Sequence, residues 1–273
     1  MEAAFFDLDK TVIAKASMVA FGGPLRRAGL IDRRLLARAA WNGFVYQRLG
    51  ADDERMQRFQ RAASGLTRGW ERDTITSLVT ETLAEVIVPL VYAEAVELID
   101  EHRRDGRLVY LVSASPEEIV APLGRHLGID RVIASRARLD DLGRYTGEVD
   151  FYAYGPYKAE AVEAVAAEER LDLADCYAYS DSVTDLPLLR AVGHPFAVNP
   201  DRDLARVARA EGWPVRNFRH GVPLRERVAL PPPSRLVMGA AVVGGVAAGV
   251  VVGWWIVTRR PTWGARLRRP GAS

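Results

Sequence analysis

The most informative part of the sequence is FFDLDKTVI, residues 5–13, because it joins the end of an apolar run directly to acidic and hydroxyl side chains. Residues 3–6 are uninterruptedly apolar, which is typical of a strand buried on both faces of a parallel sheet. Asp7, Asp9 and Thr11 follow at once. Open parallel sheets bind ligands at the carboxyl ends of their strands, so the sequence predicts a functional site at this position.

Further along the chain, short apolar runs alternate with helical patterns. The runs predict strands over residues 108–112, 132–134, 177–179 and 196–198, and helices are predicted over 116–127, 158–169 and 186–191. Residues 136–149, with a turn at 140–143, predict a hairpin that interrupts the alternation. This order of elements predicts an α/β core with a doubly wound, mostly parallel sheet of the Rossmann type.

The segment from residue 14 to residue 90 has helical spacing throughout and no strand signal. Leu35, Leu36, Ala39 and Ala40 show this spacing, as does the later set Ile75, Leu78, Val79 and Leu83. We therefore expect a helical cap, residues 14–90, inserted after the first strand of a core that comprises residues 1–13 and 91–227.

Composition places limits on partners and compartment. Of 273 residues, 49% are apolar and 26% are charged, which suits a chain with a sizeable folded core. Six of the 37 basic residues lie after residue 227, where no acidic residue occurs, so the first 227 residues hold 31 basic and 35 acidic side chains. Such a body lacks the basic surface that a nucleic-acid partner requires. The single cysteine, Cys176, excludes an internal disulfide.

A membrane-spanning segment is predicted near the end of the chain. Residues 236–257 contain 22 residues without a charge, enough to cross a hydrocarbon layer of about 30 Å as a helix. Trp254 and Trp255 lie where an interfacial aromatic belt would fall, and arginines flank the run. A Pro-rich linker, 228–235, precedes it and a basic tail, 258–273, follows. The competing interpretation, a buried core helix, is disfavoured by length and uniform apolarity.

Small residues recur every four positions in this span, at Gly245, Gly249 and Gly253. That spacing allows two helices to approach closely and so predicts a homodimer contact, although glycine is also common in membrane helices for other reasons. Arginines lie on both flanks and leave the orientation open. The first residues, 1–6, lack the basic region of an export signal. We expect a single-pass protein of the cell membrane with its globular part in the cytoplasm.

Polar side chains follow the other predicted strands at the same edge of the sheet. Ser113, Ala114 and Ser115 follow the strand at 108–112, residues 180–185 (SDSVTD) follow the strand at 177–179, and Lys158 opens a helix. Crowded carboxylates without histidine or cysteine favour a hard divalent cation, above all Mg²⁺. Lys158 and Ser113 suit a phosphate dianion, and a carboxylate in such a place can attack phosphorus.

Simpler interpretations compete at individual positions. Asp7, Asp9 and Asp181 could form turns or cap helices, and Lys158 could lie on a solvated helix face. Asp185 could cap the helix that follows it, and Ser115 is expected to be the N-cap residue before Pro116.

Four stretches together resemble the motifs of the haloacid dehalogenase-like superfamily. They are FFDLDKTVI, LVSASP at 111–116, Lys158, and YSDSVTDLPLL at 179–189. The resemblance covers about residues 3–215 and is to the phosphoserine phosphatase-like branch, subfamily IB, which has a helical cap between the first and second motifs. It implies a Mg²⁺-dependent phosphatase that hydrolyses phosphoric monoesters through an aspartyl-phosphate.

The resemblance also implies a role for each matching residue. Asp7 would be the nucleophile, and Asp9 would protonate the leaving group and then activate water, while its backbone carbonyl binds the metal. Thr11 would steady the loop. Ser113 and the N–H of Ala114 would hold the phosphoryl oxygens, and Lys158 would pair with Asp7 and the phosphate. Asp181 would bind the metal, with Asp185 as a further or water-bridged ligand, which gives the predicted metal set Asp7, Asp9, Asp181 and Asp185.

One departure bears on the substrate. Phosphoserine phosphatases carry an acidic residue seven positions after the second aspartate of the first motif, where it meets the substrate ammonium; here Ala16 stands at that position. We therefore expect a small or lipid-derived phosphate monoester. The alternatives are phosphoserine phosphatase-like or phosphotransferase activity, or a non-catalytic membrane regulator that binds a phosphorylated metabolite.

Overall fold

The first strand lies in the middle of the sheet, as its apolar run predicts. The computed structural model describes residues 1–31, 64–129 and 131–221. In it β1, Ala3–Asp7, is buried at all five positions. It pairs in parallel with β2, Leu108–Pro116, on one side and with β5, Tyr177–Ser180, on the other. A strand with neighbours on both edges and helices on both faces can tolerate no solvent-facing side chain before its carboxyl end.

The remaining strands complete a seven-stranded sheet in the order β4-β3-β2-β1-β5-β6-β7. They are β3, Arg131–Leu139; β4, Tyr145–Phe151; β6, His194–Val198; and β7, Val215–Arg216. Only β4 is antiparallel to its neighbour, β3, and the two form the predicted hairpin. The sequence did not predict β7, because two residues are too few to show a periodic pattern.

Helices cover both faces of the sheet. Those described are α1, Ser17–Ala20; α2, Gly22–Arg27; α3, Arg72–Val86; α4, Ala93–Arg104; α5, Glu117–His126; α6, Pro156–Glu169; α7, Leu186–Ala191; and α8, Arg202–Glu211. Short 3₁₀ turns lie at Val88–Leu90, Leu173–Asp175 and Val183–Asp185. The doubly wound α/β core is confirmed.

Alternate residues of β1 supply the two halves of the core. Phe6 packs with residues of α3, α4 and α5 on one face, and Phe5 packs with residues of α6, α7 and α8 on the other. Successive strand residues point to opposite faces, so a wholly apolar strand serves both layers at once. Cys176 is buried in the second cluster and is a free thiol.

Three isolated bridges connect the site loop, the ends of the predicted cap and the last described residues. Asp9 pairs with Ile13, Ile13 with Val91, and Tyr92 with Gly221. These backbone bridges tie the loop after β1 to the two connections between the core and segment 14–90. They also tie the second connection to Gly221.

Several predictions lie wholly or partly outside the described residues. Of the predicted cap, residues 14–31 and 64–90 are described and contain α1, α2, α3 and a 3₁₀ turn; its boundaries stay a prediction. The linker 228–235, the span 236–257 with its glycine stripe, and the tail 258–273 are outside the described part. No helix within residues 1–31, 64–129 and 131–221 is long and apolar enough to cross a bilayer.

Candidate active site

The site lies at the carboxyl ends of β1, β2 and β5. Asp7 is the last residue of β1 and is paired in register with Val112, so Ser113 follows directly beside it. Asp7, Ser113 and Asp181 are all buried. Three separate segments of the chain thus meet at one sheet edge, as expected from the order of strands.

Lys158 joins two of the acidic residues. Its Nζ donates to Asp7 Oδ1 at 2.6 Å and to Asp185 Oδ2 at 2.7 Å, and all three side chains are buried. The lysine stands in the first turn of α6, after Gly155 and with Pro156 as first helical residue. Gly155 has φ +55°, a conformation that a residue with a Cβ rarely adopts, and proline suits the first helical position. Lys158 is therefore not a solvated surface residue.

Charge is concentrated enough at this edge to alter the titration of its members. Burial raises the pKa of Asp7 well above its usual value; Lys158 opposes this, whereas Asp185, Asp181 and Asp9 add to it. Burial alone would lower the pKa of Lys158, but attraction to Asp185 and Asp7 outweighs it and the ammonium stays protonated. Burial, partly offset by Lys10, raises the pKa of Asp181 to about 7. The acidic side chains at this edge thus repel one another in spite of the nearby ammonium groups of Lys158 and Lys10.

Asp9 is held by two serines that the sequence did not assign to the site. Asp9 Oδ2 accepts from Ser115 Oγ at 2.9 Å, and Asp9 Oδ1 accepts from the backbone N–H of Ser17 at 2.6 Å. The two serine hydroxyls are 2.8 Å apart. The prediction that Ser115 is the N-cap residue of the following helix is wrong, because Pro116 occupies that position and the Ser115 hydroxyl faces Asp9 instead.

The second motif lies within β2, near its carboxyl end, and makes local hydrogen bonds around Ser113. The Ser113 hydroxyl accepts from the backbone N–H of Ser115 at 3.1 Å, and the carbonyl of Ala114 accepts from Ser135 Oγ at 2.7 Å. The pairing of β2 with β3 shifts register between Ser113 and Pro116, which marks a local irregularity. Ser113 and Ala114 therefore have a fixed conformation next to Asp7.

Asp185 lies at the N-cap position of α7, but its side chain makes no capping bond. Its Oδ2 accepts from Lys158 and from Ser180 Oγ, the latter at 2.7 Å, while its buried Oδ1 has no partner among the described residues. Ser180 is a further residue that the sequence did not single out. The side chain of Asp185 thus pairs with Lys158 and does not cap α7.

Thr11 and Lys10 complete the loop after β1. The Thr11 hydroxyl is fully buried and makes no hydrogen bond with described residues, so the predicted role of Thr11 in steadying the loop stays a prediction. Lys10 has φ +65° and its half-exposed ammonium is 4.0 Å from Asp181 Oδ2. Asp181 is also fixed through its backbone, since its carbonyl accepts from the N–H of Asp201 at 2.7 Å.

The predicted metal set does not assemble through side chains alone. Among the described residues, no three acidic, histidine or cysteine side chains meet closely enough to hold an ion. Both oxygens of Asp9 accept from Ser17 and Ser115, whereas Asp7 and Asp185 each give one oxygen to Lys158 and keep the other. Asp7, Asp181 and Asp185 therefore each retain a carboxylate oxygen that could meet an ion. Such a set fits Mg²⁺, because that ion is commonly held by one or two carboxylates and completes its shell with water and substrate phosphate. The raised pKa values of Asp7 and Asp181 mark the negative field that such a cation would relieve.

Comparison with known proteins identifies the family. The family model described as haloacid dehalogenase-like hydrolase matches residues 4–190. A probable phosphatase of Mycobacterium tuberculosis is 47% identical over 250 residues, which cover 91% of this chain and 87% of the relative. A phosphoserine phosphatase of the same organism is 34% identical over 257 residues, or 91% and 79% of the two chains. A solved phospho-aspartyl intermediate analogue of phosphoserine phosphatase superposes with a TM-score of 0.57 at 20% identity, covering 83% of this chain and 97% of the other, and so shares the fold.

The chain belongs to the haloacid dehalogenase-like hydrolase family. With this membership and with the carboxylate, serine and lysine side chains gathered at the end of β1, it is an enzyme of the phosphatase class.

Proposed function

We propose that the protein is a Mg²⁺-dependent phosphomonoester hydrolase that forms an aspartyl-phosphate on Asp7. The observation that carries this proposal is the buried contact of Lys158 with Asp7 at 2.6 Å, beside Asp181 and Ser113. Burying charged carboxylates costs several kcal/mol unless they are paired or bind a cation, so such an arrangement is expected only where the charges have a use.

In the first half of the reaction an oxygen of Asp7 attacks phosphorus and the bond from phosphorus to the ester oxygen breaks. Lys158, the Ser113 hydroxyl and the N–H of Ala114 receive the phosphoryl oxygens, and Asp9 gives its proton to the departing alkoxide. When bound, Mg²⁺ supplies positive charge that reduces the repulsion between the carboxylate and the phosphate dianion.

In the second half Asp9, now a carboxylate, removes a proton from water as the water oxygen attacks phosphorus. The bond between phosphorus and Asp7 breaks, inorganic phosphate leaves and Asp9 is protonated again. Asp9 therefore acts as acid and then as base within one turnover.

The decisive experiment measures phosphate release from an aryl phosphate by the full chain. We expect turnover with Mg²⁺, its loss after chelation, and a fall in kcat of on the order of 10³-fold or more in Asp7→Asn, because the amide cannot become a nucleophile. Asp203→Asn is the matched control: Asp203 pairs with Arg206 at the exposed surface, so activity should persist. Activity that survives Asp7→Asn contradicts the proposal.

For the substrate, we favour a small or lipid-derived monoester over phosphoserine. A phosphoserine phosphatase is among the relatives, which makes phosphoserine a natural candidate. However, Ala16 offers no carboxylate for a substrate ammonium, and the neighbouring Ser17 is buried and bonded to Asp9. A panel that compares phosphoserine with lysophosphatidate tests this choice, and a clear preference for phosphoserine would reverse it.

Two other activities remain separable by product analysis. A phosphotransferase would pass the phosphoryl group from Asp7 to an added alcohol, whereas a hydrolase releases inorganic phosphate in full. A regulator that binds phosphorylated metabolites without turnover would bind the aryl phosphate but release nothing.

We also propose that residues 236–257 tether the enzyme to the cell membrane as a single span, with the catalytic domain in the cytoplasm. The support is the apolar sequence, 22 residues without a charge that arginines flank on both sides. Alkaline washing of membranes that contain the full chain tests the tether. Release of the chain into the supernatant contradicts the tether.

A separate experiment tests the proposed dimer contact of the span. Crosslinking should yield less dimer for Gly249→Leu than for the wild type, because the larger side chain keeps the two helices apart.

A further inference from the structure

The Asp9 carboxylate closes a ring of hydrogen bonds with Ser17 and Ser115. One oxygen accepts from the Ser17 backbone N–H at 2.6 Å, the other accepts from the Ser115 hydroxyl at 2.9 Å, and the two hydroxyls are 2.8 Å apart. Ser17 and Ser115 are buried. Neither belongs to the residues that receive the phosphate or a metal in the proposed reaction.

The direction of the bonds follows from the groups involved. An ionised carboxylate only accepts, so the Ser115 hydrogen points to Asp9 and the Ser115 oxygen accepts from the Ser17 hydroxyl. The Ser17 N–H therefore donates directly to Asp9, and the Ser17 O–H donates to Ser115, which in turn donates to Asp9. A ring closed from both oxygens fixes the rotation of the carboxyl group as well as its position.

The ring joins three segments that are distant in sequence. Asp9 lies in the loop after β1, Ser115 follows the phosphate-binding serine of β2, and Ser17 opens α1 in the predicted cap. The Ser115 backbone N–H also donates to the Ser113 hydroxyl at 3.1 Å. Ser115 is thus bonded both to the group that transfers protons and to the group that receives the phosphoryl oxygens.

From this geometry we infer that Ser115 and Ser17 are positioning residues that aim the Asp9 carboxyl group at the leaving-group oxygen. The inference rests on the proposed function, since it assigns the two serines to the proton-transfer step of that reaction. A protonated carboxyl group still has an oxygen that accepts, so Ser115 can donate to Asp9 in both protonation states and the acid proton stays available to the leaving group. A misdirected acid fails in proton transfer while phosphate binding and nucleophilic attack continue.

The test uses the fact that leaving groups differ in how much they need a proton in order to depart. Phenolates with electron-withdrawing substituents depart without one, whereas an alkoxide requires it. We therefore compare kcat/KM, which reports the steps through formation of the phosphoenzyme, for an activated aryl phosphate and an alkyl phosphate. In Ser115→Ala we expect a loss of about 10²-fold on the alkyl ester, the lower range for general acid catalysis, and less than about threefold on the aryl ester.

Three further variants separate positioning from folding. Ser115→Thr keeps the hydroxyl and should restore most of the alkyl phosphatase activity. Ser17→Ala removes one hydroxyl but keeps the backbone N–H, so we expect a smaller loss with the same leaving-group dependence. Ser135→Ala is the matched control, because its buried hydroxyl donates to the carbonyl of Ala114 and does not contact Asp9; any loss should be equal on both esters.

Equal losses on the two esters in Ser115→Ala, or full activity on the alkyl ester, would overturn the inference while leaving the hydrolase proposal intact. If Ser115→Ala does not fold, Ser17→Ala decides by the same ratio. A wild-type chain without phosphate release, or an active Asp7→Asn variant, would instead remove the proposed function and this inference with it.

Discussion

At the scale of single residues, Lys158 shows how one cation organises several carboxylates. It is one of only three lysines in a chain that otherwise uses arginine. A flexible ammonium can reach Asp7 and Asp185 together, whereas a planar guanidinium requires a fork-shaped arrangement of acceptors. Both carboxylates are nearly inaccessible to water, so Lys158 is their neighbouring cation and one oxygen of each is engaged by it.

His102 is a second buried titratable residue, remote from catalysis, and it predicts how stability depends on pH. Its Nδ1 accepts from the Arg107 guanidinium at 3.2 Å, so its Nε2–H donates to the Tyr179 hydroxyl at 2.8 Å. Burial and then the charge of Arg107 lower the pKa of His102 to about 4. A second proton would have to sit on Nδ1, facing a cation.

We expect this histidine to destabilise the fold in acid. Because the unfolded chain binds the proton near pH 6.5 and the folded chain only near pH 4, stability is full above pH 6.5 and is lost as the pH falls toward 4, by about 2 kcal/mol at pH 5. Urea unfolding at pH 7.5 and pH 5 measures the loss. In His102→Gln, which keeps a polar side chain but cannot titrate, the loss should be smaller by that amount; an identical loss contradicts the prediction.

The sequence indicates the residues of the site better than the way they are held. Asp7, Asp9 and Asp181 could be predicted to lie together because they follow strands that end at one edge, and Lys158 because it opens a helix in a chain with three lysines. The partners of Asp9 could not, since Ser17 and Ser115 are 98 positions apart and each fits a common local role, a loop polar group or a helix cap. A serine hydroxyl is uncharged, so nothing in the sequence around it indicates that it bonds to a carboxylate far away along the chain.

At the scale of elements, the turn that leads into β6 imposes a strict size limit. Gly193 precedes the strand, and its N–H donates to the carbonyl of Leu173 at 2.8 Å. A Cβ added at Gly193 would overlap the carbonyl oxygen of Ala174 in the adjacent 3₁₀ turn. Because the obstacle is backbone, side-chain movement cannot relieve it.

Gly193→Ala should therefore cost about 3 kcal/mol or more of stability. Gly23→Ala is the matched control, since Gly23 lies in α2 with no atom near its Cβ position, and we expect no loss there and a gain of up to about 1 kcal/mol. Urea unfolding followed by far-UV circular dichroism compares the two. Similar stabilities for both variants would show that the turn can shift.

Helices and strands could be predicted from the sequence where the apolar pattern was long or where turn and helix-start residues marked the ends. The helix over 186–191 and the hairpin agree with the sequence, and β1 extends its predicted run by one residue, to Asp7. By contrast β3 continues to Leu139, well beyond the apolar run at 132–134, because its second half pairs only with β4 and carries polar, partly exposed residues. Edge pairing of this kind depends on the partner strand and leaves a weak pattern in the sequence.

For the molecule as a whole, the crowded acidic groups would make the stability of the fold depend on the Mg²⁺ that the proposed function requires. Residues from β1, from the segment after β5 and from α6 contribute to one buried set of charges, so repulsion between the carboxylates acts between these elements. A cation that binds only the folded chain stabilises it by mass action, by about 2.7 kcal/mol at a concentration one hundred times Kd.

Mg²⁺ should accordingly raise the Tm of the full chain by several degrees, and chelation should reverse the rise. Asp181→Asn separates the two contributions. The amide removes a buried carboxylate whose pKa is raised to about 7, so Tm without Mg²⁺ should be equal to or above that of the wild type, while the increase with Mg²⁺ should disappear. Glu85→Gln is the control, because Glu85 pairs with Arg27 at the surface and should leave the Mg²⁺ response intact. Scanning fluorimetry with and without Mg²⁺ measures all three chains, and an undiminished response in Asp181→Asn would place the ion away from this carboxylate.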